Sequence, residues 1–570
     1  MDLTISKALA TYLGEAKMRS LGVEWEARSY RENYTVRLSD MTVSQIRELR
    51  EWLNEIAKLD VKGTKVLITD IDRWLRALKD AGKEHPRTVH QFASLLTEYL
   101  RKAPGHRVYK RLDGEGLAYV AYYVNEVEFH PESHYNDRRT PPYTEMELMY
   151  NELDGRLKES ANFHAEDVFG MSASEALAKA GYFTETPDMR KAYLKERDRF
   201  NAIVPKIGAQ YIANGYGTDN LDGNPSTRWS RYSADKLPLD SAKVVIDVFR
   251  EDEKEARDRE AYVNQWFWGR KTPKALVEEE APDEDQATDE SDAKVDPIEI
   301  PVHPFCAVFD LRRHLRMRVH VNYLTEYEYD THMDAKLILP EVTKNLVATL
   351  IAESKTGFDD IVVGKGRGVT VLLGGPPGVG KTLTAEVFSE ASQRPLYSIQ
   401  AAQLGIESDH VEQNLVKFLA RGSRWNAIVL IDEADVYIRS RDRDMEHNAI
   451  VASILRVMEC QSSVLFMTTN LADQTDDAIV SRCIARINYA KPTPDEQKQI
   501  WRVLADINSI ALSDEYVSTF VERHPKLTGR DIKQLLKLGV LHSAKDGGHI
   551  TPEVLDFVSQ FQPTIEGRVQ

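Results

Sequence analysis

One stretch constrains the fold more than any other: VTVLLGGPPGVGKTLTAEVF, which begins at Val369. Its apolar start is typical of a buried β-strand and its end is typical of a helix. The loop between them has the pattern Gly375-x-x-x-x-Gly380-Lys381-Thr382. Such a loop closes backbone N–H groups around phosphates, and the helix N-terminus adds a positive end. The sequence therefore predicts a nucleotide site on an α/β fold with a parallel sheet.

The loop residues have separate expected roles. Lys381 would reach the β- and γ-phosphates, and the hydroxyl of Thr382 would ligate Mg²⁺, so ATP and Mg²⁺ are the predicted ligands. The predicted nucleotide-binding residues are Gly375, Pro376, Pro377, Gly378, Val379, Gly380, Lys381, Thr382 and Leu383.

A second apolar run lies in WNAIVLIDEADVYI and ends in Asp432-Glu433. An acid at the end of a parallel strand can hold Mg²⁺, which is the role predicted for Asp432. Glu433 can orient and deprotonate water, which indicates hydrolysis more than group transfer. The letters DEAD suggest an RNA helicase, but the Pro-Pro pair in the phosphate loop and the lack of later helicase motifs argue against that class.

A third strand pattern, SVLFMTTN, ends in Asn470. At the carboxyl end of a neighbouring strand, its amide could orient the attacking water. The alternative is an ordinary turn residue after a strand.

The order and spacing of these groups resemble the AAA+ ATPase module: 51 residues separate Lys381 from Asp432, 38 more lead to Asn470 and 12 more to Arg482. The triplet that contains Arg482, Ser-Arg-Cys, is similar to the arginine-finger motif of that family. The resemblance implies that Arg482 stabilises charge on the γ-phosphate bound by a neighbouring subunit. It therefore implies a homo-oligomeric ring or spiral, with a hexamer as the expected form. A surface ion-paired arginine is the alternative.

The resemblance covers residues 355–560. It implies a helical lid in which Arg530 begins a helix and touches the γ-phosphate in cis; pairing with Asp531 is the alternative. The stretch GFDDIVVGKG is similar to the segment that passes the adenine in that family, so Asp360 and Ile361 are adenine-pocket candidates.

The rest of the chain divides by pattern. Helical periodicity fills the start, alternating and aromatic-rich strands follow, and residues 277–297 hold ten carboxylates and one lysine, which predicts a disordered linker. The fold class is therefore α/β, an AAA+ parallel sheet with a C-terminal helical lid, preceded by a helical module and a β-rich domain. The predicted segments are a helical module (1–104), a β-rich recognition domain (105–275), the acidic linker (276–298), a strand-helix segment (299–354), the ATPase core (355–491) and the lid with its tail (492–570).

Charge and cysteine usage limit the partners. The net charge of −16 makes the chain a poor general binder of polyanions, so nucleic-acid contact is possible only through a local patch. Two basic clusters, within 101–112 and 312–318, are candidates for such a patch, with a solvated face as the alternative. The three cysteines are far apart in sequence, and no apolar run reaches membrane-spanning length, so we expect a cytoplasmic protein without a membrane partner.

One departure from the family bears on function. Peptide-threading members place an aromatic residue in the loop after the second core strand, whereas this chain has Leu404-Gly405-Ile406 there. The predicted function is an ATP-hydrolysing oligomeric remodeller of a protein or nucleoprotein partner that the N-terminal half selects. Two alternatives remain: a nucleotide-dependent switch or sensor, as in a defence system, and a DNA ATPase similar to clamp loaders or helicase loaders.

Overall fold

The fold is taken from a computed structural model. It describes residues 2–20, 33–38, 41–59, 61, 64–79, 85–111, 119–135, 138–152, 155–218, 236–248, 300–352, 368–405, 407–440, 445–543 and 550–562. The predicted linker at 276–298, the adenine-pocket candidates Asp360 and Ile361, and Ile406 of the predicted pore loop lie outside these residues.

The N-terminal module is mainly helical, as predicted. Thr42 caps the helix Val43–Ala57, which buries Ile46, Leu49 and Leu53 on one face. A two-stranded antiparallel sheet, which the sequence analysis did not predict, packs its Leu3 and other apolar side chains into the same core. The elements are β1 (Asp2–Ser6), α1 (Lys7–Leu13), α2 (Glu15–Ser20), β2 (Asn33–Arg37), α3 (Val43–Ala57), α4 (Thr64–Lys79) and α5 (Val89–Arg101).

A five-stranded antiparallel sheet follows, with strand order β8-β7-β4-β3-β9. The strands that the alternating and aromatic-rich pattern predicts are present. The elements are β3 (Arg107–Arg111), β4 (Tyr119–His130), β5 (Ser133–Tyr135), β6 (Arg138–Thr140), β7 (Tyr143–Glu152), β8 (Gly155–His164), α6 (Ala165–Val168), α7 (Ala173–Lys179), β9 (Tyr182–Thr184) and α8 (Pro187–Ile203).

A second antiparallel sheet, called the barrel below, contains β10 (Gln210–Thr218), β11 (Lys236–Ile246), β12 (Phe305–Asp310), β13 (Leu315–His320) and β14 (Leu324–Glu326). The pairings β10–β11, β11–β12, β12–β13 and β13–β10 form a closed circuit, and β14 adds to β10. A single sheet thus combines strands from the segments 105–275 and 299–354, which the sequence analysis assigned to different domains.

The ATPase core is a parallel five-stranded sheet in the order β16-β17-β18-β15-β19. Its three central strands are buried almost throughout, because helices cover both faces of a parallel sheet. The elements are α9 (Glu341–Ala352), β15 (Val369–Gly374), α10 (Lys381–Ala391), β16 (Leu396–Gln400), α11 (Ser408–Arg424), β17 (Ile428–Asp432), α12 (Asp435–Ile438), α13 (Met445–Cys460), β18 (Val464–Thr469), α14 (Asp477–Arg482) and β19 (Ala485–Asn488).

The predicted helical lid is present as four helices packed around Trp501, Phe520 and Leu535. They are α15 (Pro494–Ile507), α16 (Asp514–Arg523), α17 (Gly529–Ser543) and α18 (Pro552–Ser559).

The barrel packs directly against the ATPase core at a contact that we call the barrel junction: Asp247, Phe309, Tyr397, Arg424 and Trp425. The Phe309 ring lies 5.6 Å from the Tyr397 ring and 4.9 Å from the Trp425 ring, centroid to centroid. Arg424 Nη2 lies 2.8 Å from Oδ2 of Asp247, a residue that is fully buried. The barrel is therefore joined to the ATPase core by aromatic packing and a buried ion pair.

Candidate nucleotide-binding site

The glycine loop has the backbone that phosphate binding requires. It follows β15 and ends at Gly380, which has φ +102° and precedes the first residue of α10. A Cβ at Gly380 would meet no atom within 4 Å, so the loop leaves open space at the helix N-terminus. Open space beside free helix N–H groups suits an anion.

Lys381 lies across this loop. Its Nζ donates to the carbonyls of Gly375 at 2.6 Å and Pro376 at 2.8 Å, and to Oδ1 of Asn470 at 2.8 Å. Burial lowers the pKa of its ammonium group, while the carboxylates of Asp435 and Asp432 act in the opposite direction. An incoming phosphate could replace these neutral acceptors, because charge-assisted bonds to an anion are stronger.

The two predicted metal ligands are in contact. The hydroxyl of Thr382 donates to Oδ1 of Asp432 at 2.9 Å, and the hydroxyl of Thr468 donates to the same oxygen at 2.6 Å. Mg²⁺ is usually held by one or two protein oxygens together with phosphate oxygens and waters. The hydroxyl and carboxylate present here fit that pattern beside the open loop.

Glu433 has a left-handed backbone with φ +54° and an exposed side chain. Its backbone N–H donates to Thr468 Oγ1 at 2.9 Å. Non-glycine residues rarely adopt this conformation and often do so at functional sites. The turn places an exposed carboxylate directly after Asp432, where it can accept a proton from water.

Asn470 follows β18 and meets the residues above. Besides its contact with Lys381, its backbone N–H donates to Oδ1 of Asp435 at 2.9 Å. We call the set Lys381, Thr382, Asp432, Asp435 and Asn470 the phosphate edge. Four of these five residues were chosen from the sequence, and the structure brings them together at the carboxyl ends of β17 and β18 and the start of α10.

The lid touches the phosphate loop through Arg530. Its backbone N–H donates to the Gly378 carbonyl at 3.3 Å, and its positive charge contributes to lowering the pKa of Lys381. The carboxylate of Asp531 accepts instead from the backbone N–H and the hydroxyl of Thr528, both at 2.8 Å. The exposed Arg530 side chain thus extends from a backbone fixed beside the loop.

Arg482 is the last residue of α14 and bonds elsewhere in its own chain. Its Nε donates to Oε1 of Glu459 at 3.0 Å, its Nη2 reaches the same oxygen, and its Nη1 donates to the carbonyl of Ala478 at 3.2 Å. The side chain is about one-third exposed. The structure therefore places Arg482 on the surface, paired with Glu459 on α13.

The predicted pore loop has a different environment from the one that the sequence suggests. Leu404 of the predicted pore loop is fully buried in the core of the ATPase sheet, so in this structure it is not available to grip a polypeptide. The carbonyl of Gly405 accepts from the hydroxyl of Tyr437 at 2.6 Å, which holds the loop against the core.

The two basic clusters do not form uniform basic surfaces. Arg316 is 5% exposed, Arg318 pairs with Glu152, and Arg313 donates to the carbonyl of Pro238. In the earlier cluster, Arg107 pairs with Glu185 at 3.6 Å, and Lys110 and Lys102 pair with Glu159 and Glu98. Most of these charges are therefore bound within the protein.

Sequence reasoning missed Asp435 and Thr468. Both lie next to residues that it chose, but the pattern gives no sign of a bond between the ends of β17 and β18. The signal that could have identified them is the polar run after each apolar strand: Asp-Glu-Ala-Asp after one and Thr-Thr-Asn at the end of the other.

The described part of the chain contains no helix with the length and apolar character needed to cross a membrane.

Part of this chain is similar to known proteins. A family model described as "ATPase family associated with various cellular activities (AAA)" matches residues 371–490. An ATP-dependent zinc metalloprotease FtsH 3 of Sphaerobacter thermophilus is 29% identical over 37% of this chain and 47% of its own length. Human fidgetin-like protein 1 is 28% identical over 36% of this chain and 33% of its own.

The matched region thus spans half or less of either curated relative. A solved structure, the FIGL-1 AAA domain in complex with ADP, is 19% identical over 40% of this chain and 82% of that one, with a TM-score of 0.32. The family match coincides with the parallel sheet and includes the phosphate edge, Glu433 and Arg482. The chain therefore carries an ATPase domain of the AAA family, at residues 371–490.

Proposed function

We propose that this chain is an oligomeric, Mg²⁺-dependent ATPase that uses ATP hydrolysis to remodel a protein or nucleoprotein partner selected by its N-terminal half. The observation that carries the proposal is the phosphate edge, where the lysine, metal ligands and water-orienting amide meet beside an open phosphate loop. We expect a ring or spiral of six subunits, because the family resemblance assigns Arg482 to the site of a neighbouring subunit.

The proposed chemistry assigns one task to each group. A bound Mg²⁺ ion would neutralise charge on the β- and γ-phosphate oxygens. Lys381 leaves its carbonyl acceptors and donates to the phosphates, while Asn470 Oδ1 accepts from the attacking water. Glu433 then takes a proton from that water. Arg530 adds positive charge from the lid of the same subunit.

Arg482 completes a neighbouring site in this proposal. It is exposed at the end of α14, and its partner Glu459 is also a surface residue, so the guanidinium can exchange that carboxylate for a phosphate of the next subunit. A cation that faces the γ-phosphate typically accelerates hydrolysis about 10³-fold or more.

A second contact between the barrel and the ATPase core supports coupling between the motor and the N-terminal half. Tyr327, just after β14, donates to Glu390 near the end of α10, the helix that begins with Lys381. Because one rigid helix connects the phosphate loop to the barrel, a shift at the loop would be transmitted to the recognition half. The FtsH relative is named an ATP-dependent protease, which supports a protein client.

A second candidate is a nucleotide-dependent switch. The burial of Leu404 favours it, since a pore loop without an exposed apolar grip is poorly suited to processive threading. The Ser-Arg-Cys triplet suggested the DNA ATPase alternative, but residues 312–318 do not give it a uniform basic surface, because Arg318 pairs with Glu152 and Arg313 donates to the carbonyl of Pro238.

The test is complementation between two inactive variants of the full chain. Lys381→Ala removes nucleotide binding but keeps Arg482, and Arg482→Ala keeps the phosphate edge but lacks the finger. Each alone should lose at least about 100-fold in ATPase rate. Their mixture should recover activity, because sites in the second variant can be completed by neighbours of the first.

Activity of Arg482→Ala alone at the wild-type rate would refute the shared site. The dependence of the wild-type rate on protein concentration separates the two candidates: fast, cooperative turnover without a trigger supports the remodeller, and slow turnover supports the switch.

A further inference from the structure

We propose that Asp435 is a positioning residue that fixes the side-chain amide of Asn470 in the orientation needed for hydrolysis. The inference rests on the ATPase activity proposed above and adds a residue to its machinery. Asp435 begins α12, three residues after the predicted metal ligand Asp432, and is half-buried between the ends of β17 and β18.

The contacts of Asp435 converge on one short segment. Its Oδ1 accepts from the hydroxyl of Thr469, from the backbone N–H of Asn470 at 2.9 Å and from that of Leu471 at 3.4 Å. Its Oδ2 accepts from Nδ2 of Asn470 at 3.4 Å. One carboxylate therefore holds both the backbone and the side chain of the residue proposed to orient water.

The two partners of the Asn470 amide determine which way it faces. An ionised carboxylate only accepts hydrogen bonds, so Asp435 must face the NH₂ group. An ammonium group only donates, so Lys381 must face Oδ1, which lies 2.8 Å from its Nζ. Asp435 thus selects the rotamer that points the amide oxygen toward the phosphate loop.

This orientation matters once nucleotide is bound. When Lys381 donates to phosphate, the Asn470 oxygen loses its donor and becomes free to accept from water. A neutral amide at position 435 could accept or donate, so it would allow Asn470 to turn its NH₂ toward the water and lose the proposed contact. Asp435 prevents that turn without touching the substrate itself.

The experiment compares Asp435→Asn with Asp477→Asn in the full chain. Asp477 is an exposed aspartate in the first turn of α14, so its substitution removes the same charge away from the phosphate edge. Supporting residues of this kind typically contribute 10–100-fold to activity. We expect Asp435→Asn to lower kcat by about 10–100-fold while KM for ATP changes less than about threefold, and Asp477→Asn to keep the wild-type kcat.

A double-mutant cycle separates positioning from general damage. If Asp435 acts through Asn470, then Asp435→Asn should have little further effect in the Asn470→Ala background. Equal effects in both backgrounds, or a wild-type kcat for Asp435→Asn, would overturn the inference while leaving the ATPase proposal intact.

A structural measurement keeps the inference testable if the chain does not hydrolyse ATP. A crystal structure of nucleotide-free Asp435→Asn should show the Asn470 side chain displaced from Lys381, by comparison with the 2.8 Å contact here. An unchanged contact would refute the positioning role, whereas absence of wild-type hydrolysis would refute the proposed function.

Discussion

The phosphate edge and the barrel junction both involve the ATPase core but use charge in different ways. At the phosphate edge, Lys381 bonds to backbone carbonyls and an amide, which are partners that a stronger anion can replace. At the barrel junction, Asp247 is fully buried and its partner Arg424 approaches within 2.8 Å. The phosphate edge is arranged for exchange of partners and the barrel junction for permanent contact.

The difference shows how a buried charge can be interpreted. A charge with neutral, replaceable partners beside open backbone is poised for a ligand, as at the phosphate loop. A buried charge that is paired with an opposite charge beside packed aromatic rings joins two structural units, as at the barrel junction. This contrast predicts that substitutions at the junction change stability, whereas substitutions at the phosphate edge change activity.

The largest expected effect is at the junction. Asp247→Ala should lower the free energy of unfolding by about 3 kcal/mol, because it leaves Arg424 partly buried without its carboxylate. Urea denaturation followed by circular dichroism measures the loss. Asp240→Ala, an exposed aspartate on β11, is the control and should change stability by less than about 0.5 kcal/mol. A loss below about 1 kcal/mol for Asp247→Ala would show that packing alone holds the barrel in place.

The ATPase half was largely predictable because its signals are local. The strand, glycine loop and helix that begin at Val369 are consecutive in sequence, and the carboxyl ends of parallel strands must meet at one edge. That is why Asp432 and Asn470 could be placed beside Lys381. The bond from Asp435 to Asn470 could not be predicted, since it depends on side-chain directions between separate strands.

The barrel shows the opposite case. The sequence predicted strands within both 105–275 and 299–354, but periodicity gives no information on which strands pair across the intervening residues. The charge pattern was equally ambiguous, because the sequence of 312–318 reveals the arginines but not the residues that pair with them. The burial of Leu404 could not be predicted either, since the position of a residue in a loop does not reveal which side chains pack against it.

A second prediction concerns pH at His303, which packs against the antiparallel sheet of the N-terminal half. His303 is fully buried between Tyr150 and Tyr122, and burial lowers its pKa to about 3. The unfolded chain binds a proton near pH 6.5, whereas the folded chain does not, so this group's contribution to stability is present above that pH and is lost as the pH falls toward 3. The expected loss is about 1.4 kcal/mol per pH unit below pH 6.5.

Denaturation midpoints at several pH values between 7 and 4 test this prediction. His303→Phe retains a ring against Tyr150 and removes the titrating group, so its stability should fall less steeply as the pH falls, even if it is less stable at pH 7. An identical slope in the variant and the wild type would show that other groups control the acid sensitivity.

The smallest expected effect concerns the ion pair between Glu459 and Arg482. Like the charges at the phosphate edge, this pair is proposed to exchange its partner for a phosphate. Glu459 is about half exposed and holds Arg482, so the pair should contribute less than about 1 kcal/mol to stability. Glu459→Gln should leave the unfolding midpoint nearly unchanged. It should raise the ATPase rate at low protein concentration by up to about fivefold, because the carboxylate that competes with a neighbour's phosphate becomes neutral.

The variant Glu459→Gln/Arg482→Ala is the matched control for this effect. If Glu459 acts only by holding Arg482, the double variant should hydrolyse ATP no faster than Arg482→Ala alone. A fall in rate for Glu459→Gln would mean that the carboxylate orients the arginine for its neighbour instead of competing for it. The Glu459–Arg482 pair would then be a fixed contact like the barrel junction, and the exchangeable kind of charge would be confined to the phosphate edge.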